Sequence, residues 1–166
     1  MKERIYLDFN ATTPLNPQVR ETLFTALTQY ANASSMHEDG RIVAKNVFAA
    51  REQVASLIGS DPDEIIFTSG GSESNNTVFN TVSSPALVHT GRLKELYGGR
   101  KTVFISAIEH PCVMESAKRL EFLGFTVKQI PVDPEGMIVL ESYKAMLSAA
   151  ASSARLEDRP LLVSVM

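Results

Sequence analysis

The apolar positions of this 166-residue chain follow two alternating rhythms. Short runs rich in β-branched and aromatic residues (RIYLDF, EIIFTS, KTVFIS, TVKQIPV and LLVSVM) have the length and composition of strands. Between them lie longer stretches whose apolar residues recur every three to four positions, as in a helix with one buried face. In the first stretch Val19, Leu23, Ala26, Leu27 and Tyr30 share a face, with Asn16 as N-cap and Pro17 as first helical residue. A second helix is predicted over 41–58, with Val43, Val47, Ala50, Val54, Leu57 and Ile58 inward and Gly59 as a left-handed stop. Further helices are predicted over 73–82, after His110 with Val113, Ala117 and Leu120 on one side, and over 140–151. A short one is expected over 90–97, ended by Gly98 and Gly99. NATTPLNP, ANASSMHEDG, DPEGM and SSARLEDRP read as loops and turns. Strands alternating with helices predict an α/β domain with a mostly parallel sheet.

Composition narrows the class. Hydrophobic residues make up 44% and charged residues 21%, which is globular and not disordered. The net charge is −3 without a Lys/Arg cluster, so no footprint for nucleic acid or anionic lipid is expected. Cys112 is the single cysteine, so neither an internal disulfide nor a Cys/His metal spacing is expected. No apolar run approaches the roughly 20 residues that span a bilayer, and MKERIYLDF lacks the core of a signal peptide. A soluble, cytoplasmic protein without membrane contact is the expectation.

The chemistry-bearing residues gather where the strands end, which is where open α/β sheets bind ligands. TSGGSESNN, residues 68–76, follows EIIF and opens a helix. Gly70 and Gly71 are expected to take unusual dihedrals and to let a ligand approach the backbone. The helix start supplies free N–H groups and a partial positive charge, and Ser72 and Ser74 add hydroxyls. These are the parts of a phosphate cradle. The run is neither GxxxxGK[ST] nor GxGxxG, and a plain turn capped by Ser72 is the competing reading. His110 follows KTVFIS and can face the same crevice as Ser72, stacking on a ring or moving protons. A capping or surface role is the alternative. Glu109 reads as a solvated or capping acid, His37 as a loop residue, and Cys112 as a small buried helix residue rather than a reactive thiol. His89 is given no role.

Five segments in this order (YLDFNATTP, NASSMH, EIIFTSGGSESNN, IEHPCV and LLVSVM) resemble the cysteine desulfurases, class V of the fold-type I pyridoxal-phosphate (PLP) enzymes. The resemblance runs from about residue 4 to residue 166. It implies a partial three-layer αβα PLP-dependent transferase large domain over 15–166, preceded at 1–14 by a strand-bearing segment of the small domain. It also implies that Gly71 and Ser72 hold the phosphate of pyridoxal 5'-phosphate. His110 would stack on the pyridine ring and take part in proton transfer as the catalytic residue. Segments 10–13 and 32–37 match linings of the active-site entrance. The implied reaction converts L-cysteine to L-alanine, with PLP as electron sink, and passes sulfur to an enzyme cysteine as a persulfide. A sulfur-acceptor protein would take it for iron–sulfur cluster or thio-cofactor assembly, and the parent enzyme would be a homodimer.

The departures carry equal weight. In the family VSVM is followed by Asn-Asn-Glu, an aspartate on the pyridine nitrogen and the Schiff-base lysine of a Ser-x-His-Lys motif. A sulfur-accepting cysteine and a carboxylate-binding arginine come later. This sequence holds none of them, and Cys112 does not match the mobile cysteine. The chain is therefore expected to be the N-terminal portion of such an enzyme and inactive alone. The family's sheet order, 3-2-4-5-6-7-1, separates EIIFT from LLVSV, so open strand edges are expected. Stretches 83–100 and 148–159 look longer than usual and read as surface elaborations. Two alternatives stay open. One is another class V enzyme, a selenocysteine lyase or aminotransferase; the other is a non-catalytic phosphate- or partner-binding remnant.

Overall fold

A computed structural model describes residues 5–84 and 97–166. His89 and nearly all of the helix expected over 90–97 lie outside the described residues. The chain divides into two units, Met1–Phe67 and Thr68–Met166.

The first unit is helical. In α1 (Pro17–Leu27) the Oδ1 of Asn16 accepts the Gln18 N–H at 2.8 Å, and Pro17 occupies the first turn where its missing N–H costs nothing. The second helix, α2 (Glu38–Ile58), starts three residues before the predicted 41. His37 is its N-cap, with Nδ1 accepting the Gly40 N–H at 3.3 Å. Glu38 and Asp39 then meet the positive end of the helix dipole. Gly40 is packed so tightly that a Cβ would lie 2.4 Å from the Ser35 carbonyl oxygen. At the other end Gly59 takes φ 71°, the expected left-handed stop. The predicted inward face holds at Val43, Val47 and Ala50, which are half-buried, and fails in the last turns. Ala55 is 2% exposed, while Leu57 and Ile58 are 85% and 65% exposed. Helix α2 packs on the 3₁₀ turn Pro62–Glu64, and the Ala55 carbonyl accepts the Ser60 N–H at 3.0 Å where the chain leaves the helix.

Neither residues 5–8 nor residues 65–68 form a strand. A strand exists only through its ladder, and no described residue pairs with either segment. For 65–68 this agrees with a place at the far edge of the family sheet.

The second unit is a three-layer sandwich. Its sheet has the order β2-β1-β3, all parallel, from β1 (Thr102–Ser106), β2 (Thr126–Ile130) and β3 (Pro160–Ser164). Counting EIIFT as the family's first strand, this is the 3-2-4 part of the expected order. The central strand β1 is buried throughout, and its side chains alternate between faces. Val103 and Ile105 pack with Phe79 of α3 (Gly71–Ser83) and with Val113, Ala117 and Leu120 of α4 (Pro111–Phe122). Phe104 points the other way, onto Ile130 and onto Ala150 of α5 (Leu140–Ala151). Burying each large β1 side chain contributes about 1.5–3 kcal/mol. Between β2 and α5, DPEGM turns as expected. Asp133 Oδ1 accepts the N–H groups of Glu135 and Met137 at 3.1 and 2.8 Å. The stretch 148–159 is more than surface elaboration. The Glu157 carbonyl in its 3₁₀ turn accepts the Lys101 N–H at 3.0 Å and the buried Thr102 hydroxyl at 3.1 Å, bracing the start of β1.

Candidate functional site

Helices α3 and α4 lie side by side on one face of the sheet, joined by a row of polar pairs. Asn75 Nδ2 donates to Cys112 Sγ at 3.2 Å, Ser116 Oγ to Asn76 Oδ1 at 3.0 Å, and Arg119 Nη1 to Asn80 Oδ1 at 2.8 Å. The partners advance by four and three residues along α4, at Cys112, Ser116 and Arg119, and lie at Asn75, Asn76 and Asn80 on α3, so the row ties the two helices together along their first three turns. The result is one cavity of about 260 Å³ lined by Gly71, Ser72, Asn75, His110 and Cys112. All three residues singled out in the sequence, Gly71, Ser72 and His110, meet there.

The loop before α3 is tied by its own side chains. Thr68 Oγ1 and Ser74 Oγ are 2.6 Å apart, so one donates to the other, and the second donates to the Gly70 carbonyl, which lies 3.2 Å from Thr68 Oγ1 and 3.3 Å from Ser74 Oγ. Ser74 is thus engaged in the loop and does not point a free hydroxyl at a ligand. Glu73 reaches back to accept the hydroxyl and backbone N–H of Ser69, each at 2.6 Å. The Ser69 hydroxyl first, and its N–H second, hold the Glu73 carboxyl below its ordinary 4.5. This ties the acid to the residue just before the N-cap, Gly70. Among the described residues no acceptor takes the N–H of Gly71, Ser72 or Glu73, and the Ser72 hydroxyl has no partner. Ser72 does not cap α3; the N-cap is Gly70.

The glycines work differently from expectation. Gly70 has φ 165° and ψ 176°, extended backbone open to any residue, and Gly71 is helical. Neither adopts unusual dihedrals. They supply room instead, because a Cβ on either would meet no atom within 4 Å. Three N–H donors, a hydroxyl and open space at the positive end of a helix suit a phosphate-bearing group such as PLP.

His110 is both cap and cavity wall. It is the N-cap of α4, where Nδ1 accepts the Cys112 N–H at 3.2 Å, and its ring is exposed on the cavity. Cys112 is half-buried, with Sγ 3.0 Å from the same Nδ1. Glu109 is not a solvated acid. It is half-buried, and its Oε1 accepts the hydroxyls of Ser106 at 3.2 Å and Ser164 at 3.0 Å. It therefore ties the loop carrying His110 to the carboxyl ends of β1 and β3. Sequence reasoning missed this clamp; the only signal was a serine closing each of two strands. Among the described residues no three His, Cys, Asp or Glu side chains gather to hold a metal, and no helix is long and apolar enough to cross a membrane.

Fold and rim define a class: a three-layer α/β domain with an anion-ready helix start at the carboxyl edge of a parallel sheet. Residues 5–156 match the aminotransferase class-V family, and the chain belongs to that family. It is 38% identical over 165 residues to the cysteine desulfurase IscS of Rickettsia akari, covering 98% of this chain and 35% of that protein. A NifS-like protein of solved structure superposes with a TM-score of 0.78 at 32% identity, covering 99% of this chain and 40% of the other. A structure of SspA in complex with cysteine gives 0.74 at 25% identity, with 96% and 41% covered. The fold is part of the fold-type I large domain of PLP-dependent transferases. The chain thus spans 35–41% of the length of these relatives.

Proposed function

We propose that this chain is the N-terminal portion of a PLP-dependent cysteine desulfurase. The observation that carries the reading is the single cavity on which Gly71, Ser72 and His110 meet. In this role the N–H groups of Gly71 and Ser72, with Ser72 Oγ, hold the phosphate through charge-assisted hydrogen bonds. His110 stands against the ring and moves a proton at Nε2, because Nδ1 is engaged by Cys112. Glu109 holds the loop that places His110. When bound, the cofactor draws electrons from the substrate carbon, while the protein orients and shields. The substrate is L-cysteine; the products are L-alanine and an enzyme persulfide that an acceptor protein draws on for iron–sulfur cluster or thio-cofactor assembly. The parent is a cytoplasmic homodimer. No lysine of this sequence lies in a Ser-x-His-Lys motif, so the 166-residue chain alone is inactive.

The test is alanine and persulfide formation from L-cysteine by the full-length protein, with and without PLP. Both products are expected only with PLP, and His110→Ala should slow them by about 10²–10⁴-fold. A PLP-loaded protein that leaves cysteine intact overturns the reading.

A further inference from the structure

We propose that Cys112 is a positioning residue: its thiol, oriented by Asn75, holds the His110 ring in the tautomer that carries its proton on Nε2. Nδ1 of His110 lies 3.2 Å from the Cys112 N–H and 3.0 Å from Cys112 Sγ. On its far side the sulfur lies 3.2 Å from Asn75 Nδ2, which carries hydrogens only. The sulfur therefore accepts from Asn75, and its own hydrogen is directed at Nδ1. Both neighbours of Nδ1 are then donors, and a proton on Nδ1 would face two hydrogens and no acceptor. The ring proton belongs on Nε2, the nitrogen left to the cavity.

The relay joins the two halves of the site. Asn75 lies one turn beyond Gly71 and Ser72 on α3, and Cys112 lies in the first turn of α4. One side chain thus connects the helix that opens at the cradle to the ring that faces it. The consequence for catalysis rests on the function proposed above: an Nε2–H ring donates toward a bound molecule where an Nδ1–H ring would accept. The tautomer itself does not depend on that reading. Sequence reasoning could not reach this role, since Asn75 and Cys112 are 37 residues apart.

The experiment is ¹⁵N spectroscopy of the full-length protein with ring-labelled histidine at neutral pH, without cofactor, with the His110 signals assigned by His110→Gln. Wild type should show Nδ1 unprotonated and Nε2 protonated. Cys112→Ala leaves the backbone N–H in place and removes only the thiol, so the ratio favouring Nε2–H should fall about fivefold, the worth of one neutral hydrogen bond. Cys112→Ser retains a donor and should stay within about twofold of wild type. Asn75→Ala acts from the other helix and should lower the ratio about threefold; it decides the matter if Cys112→Ala does not fold. An unchanged ratio in the variant that folds overturns the proposal. So do two protonated ring nitrogens in wild type, which would mean a thiolate beside an imidazolium. If the ratios move as expected but added PLP leaves the His110 signals untouched, the functional reading fails while the tautomer assignment stands.

Discussion

Glu109→Ala isolates the clamp that carries His110. The wild-type carboxylate accepts two hydroxyls on one oxygen, Ser106 at 3.2 Å and Ser164 at 3.0 Å. Ser164 is half-buried and can turn to water when the acceptor goes. Ser106 is 0% exposed and cannot. Leaving one buried hydroxyl without a partner costs about 1–3 kcal/mol, and losing a bond to a charged acceptor on a half-exposed group adds about 1 kcal/mol. Glu109→Ala should therefore destabilise by about 2–4 kcal/mol. Glu109→Gln keeps an oxygen that accepts both hydroxyls, as neutral bonds, and should lose about 1 kcal/mol. The double variant Ser106→Ala/Glu109→Ala removes the orphaned hydroxyl and should recover about 1–2 kcal/mol over Glu109→Ala alone. Urea unfolding followed by circular dichroism reads these as midpoint shifts at constant slope. If Glu109→Ala stays within about 0.5 kcal/mol of wild type, as a substitution at a solvated position would, the clamp does not hold the loop.

Gly59→Ala should cost about 1–2 kcal/mol in the same assay, because φ is 71° and open space around the position confines the penalty to the backbone; a stabilised variant would contradict this. Gly40→Ala forces a Cβ onto the Ser35 carbonyl and should cost about 1–3 kcal/mol, with faster hydrogen exchange in the first turn of α2; unchanged exchange would refute it. The Glu73 carboxyl lies below its ordinary 4.5, so its contribution to stability is full above that pH and lost as pH falls through the folded value. Ser69→Ala removes the main cause and should move the Glu73 midpoint upward in an NMR titration; an unmoved midpoint would count against the bond.

What could be read from the chain was what depends on neighbours in sequence. Asn16–Pro17 and Gly59 set helix ends through contacts a few residues long, and the pattern of β1 follows from burial on both faces. The open helix start was legible too, since a glycine pair followed by serine ahead of a helical stretch announces N–H groups without acceptors. What escaped depends on distant partners. EIIFT has strand composition, yet 65–68 finds no ladder among the described residues. Leu57 reads as core, yet it is exposed and Ala55 is the buried residue at that end of α2. Glu109 and Cys112 took their roles from Ser164 and Asn75, 55 and 37 residues away. His37 was overlooked as a cap because histidine is an uncommon one, and only the buried Gly40 behind it makes that start possible.

The most direct test is the structure of the full-length protein crystallised with PLP. The account predicts phosphate oxygens within about 2.7–3.2 Å of the N–H groups of Gly71 and Ser72 and of Ser72 Oγ, with the His110 ring lying against the pyridine. A phosphate bound elsewhere, with these donors facing only solvent, would contradict it.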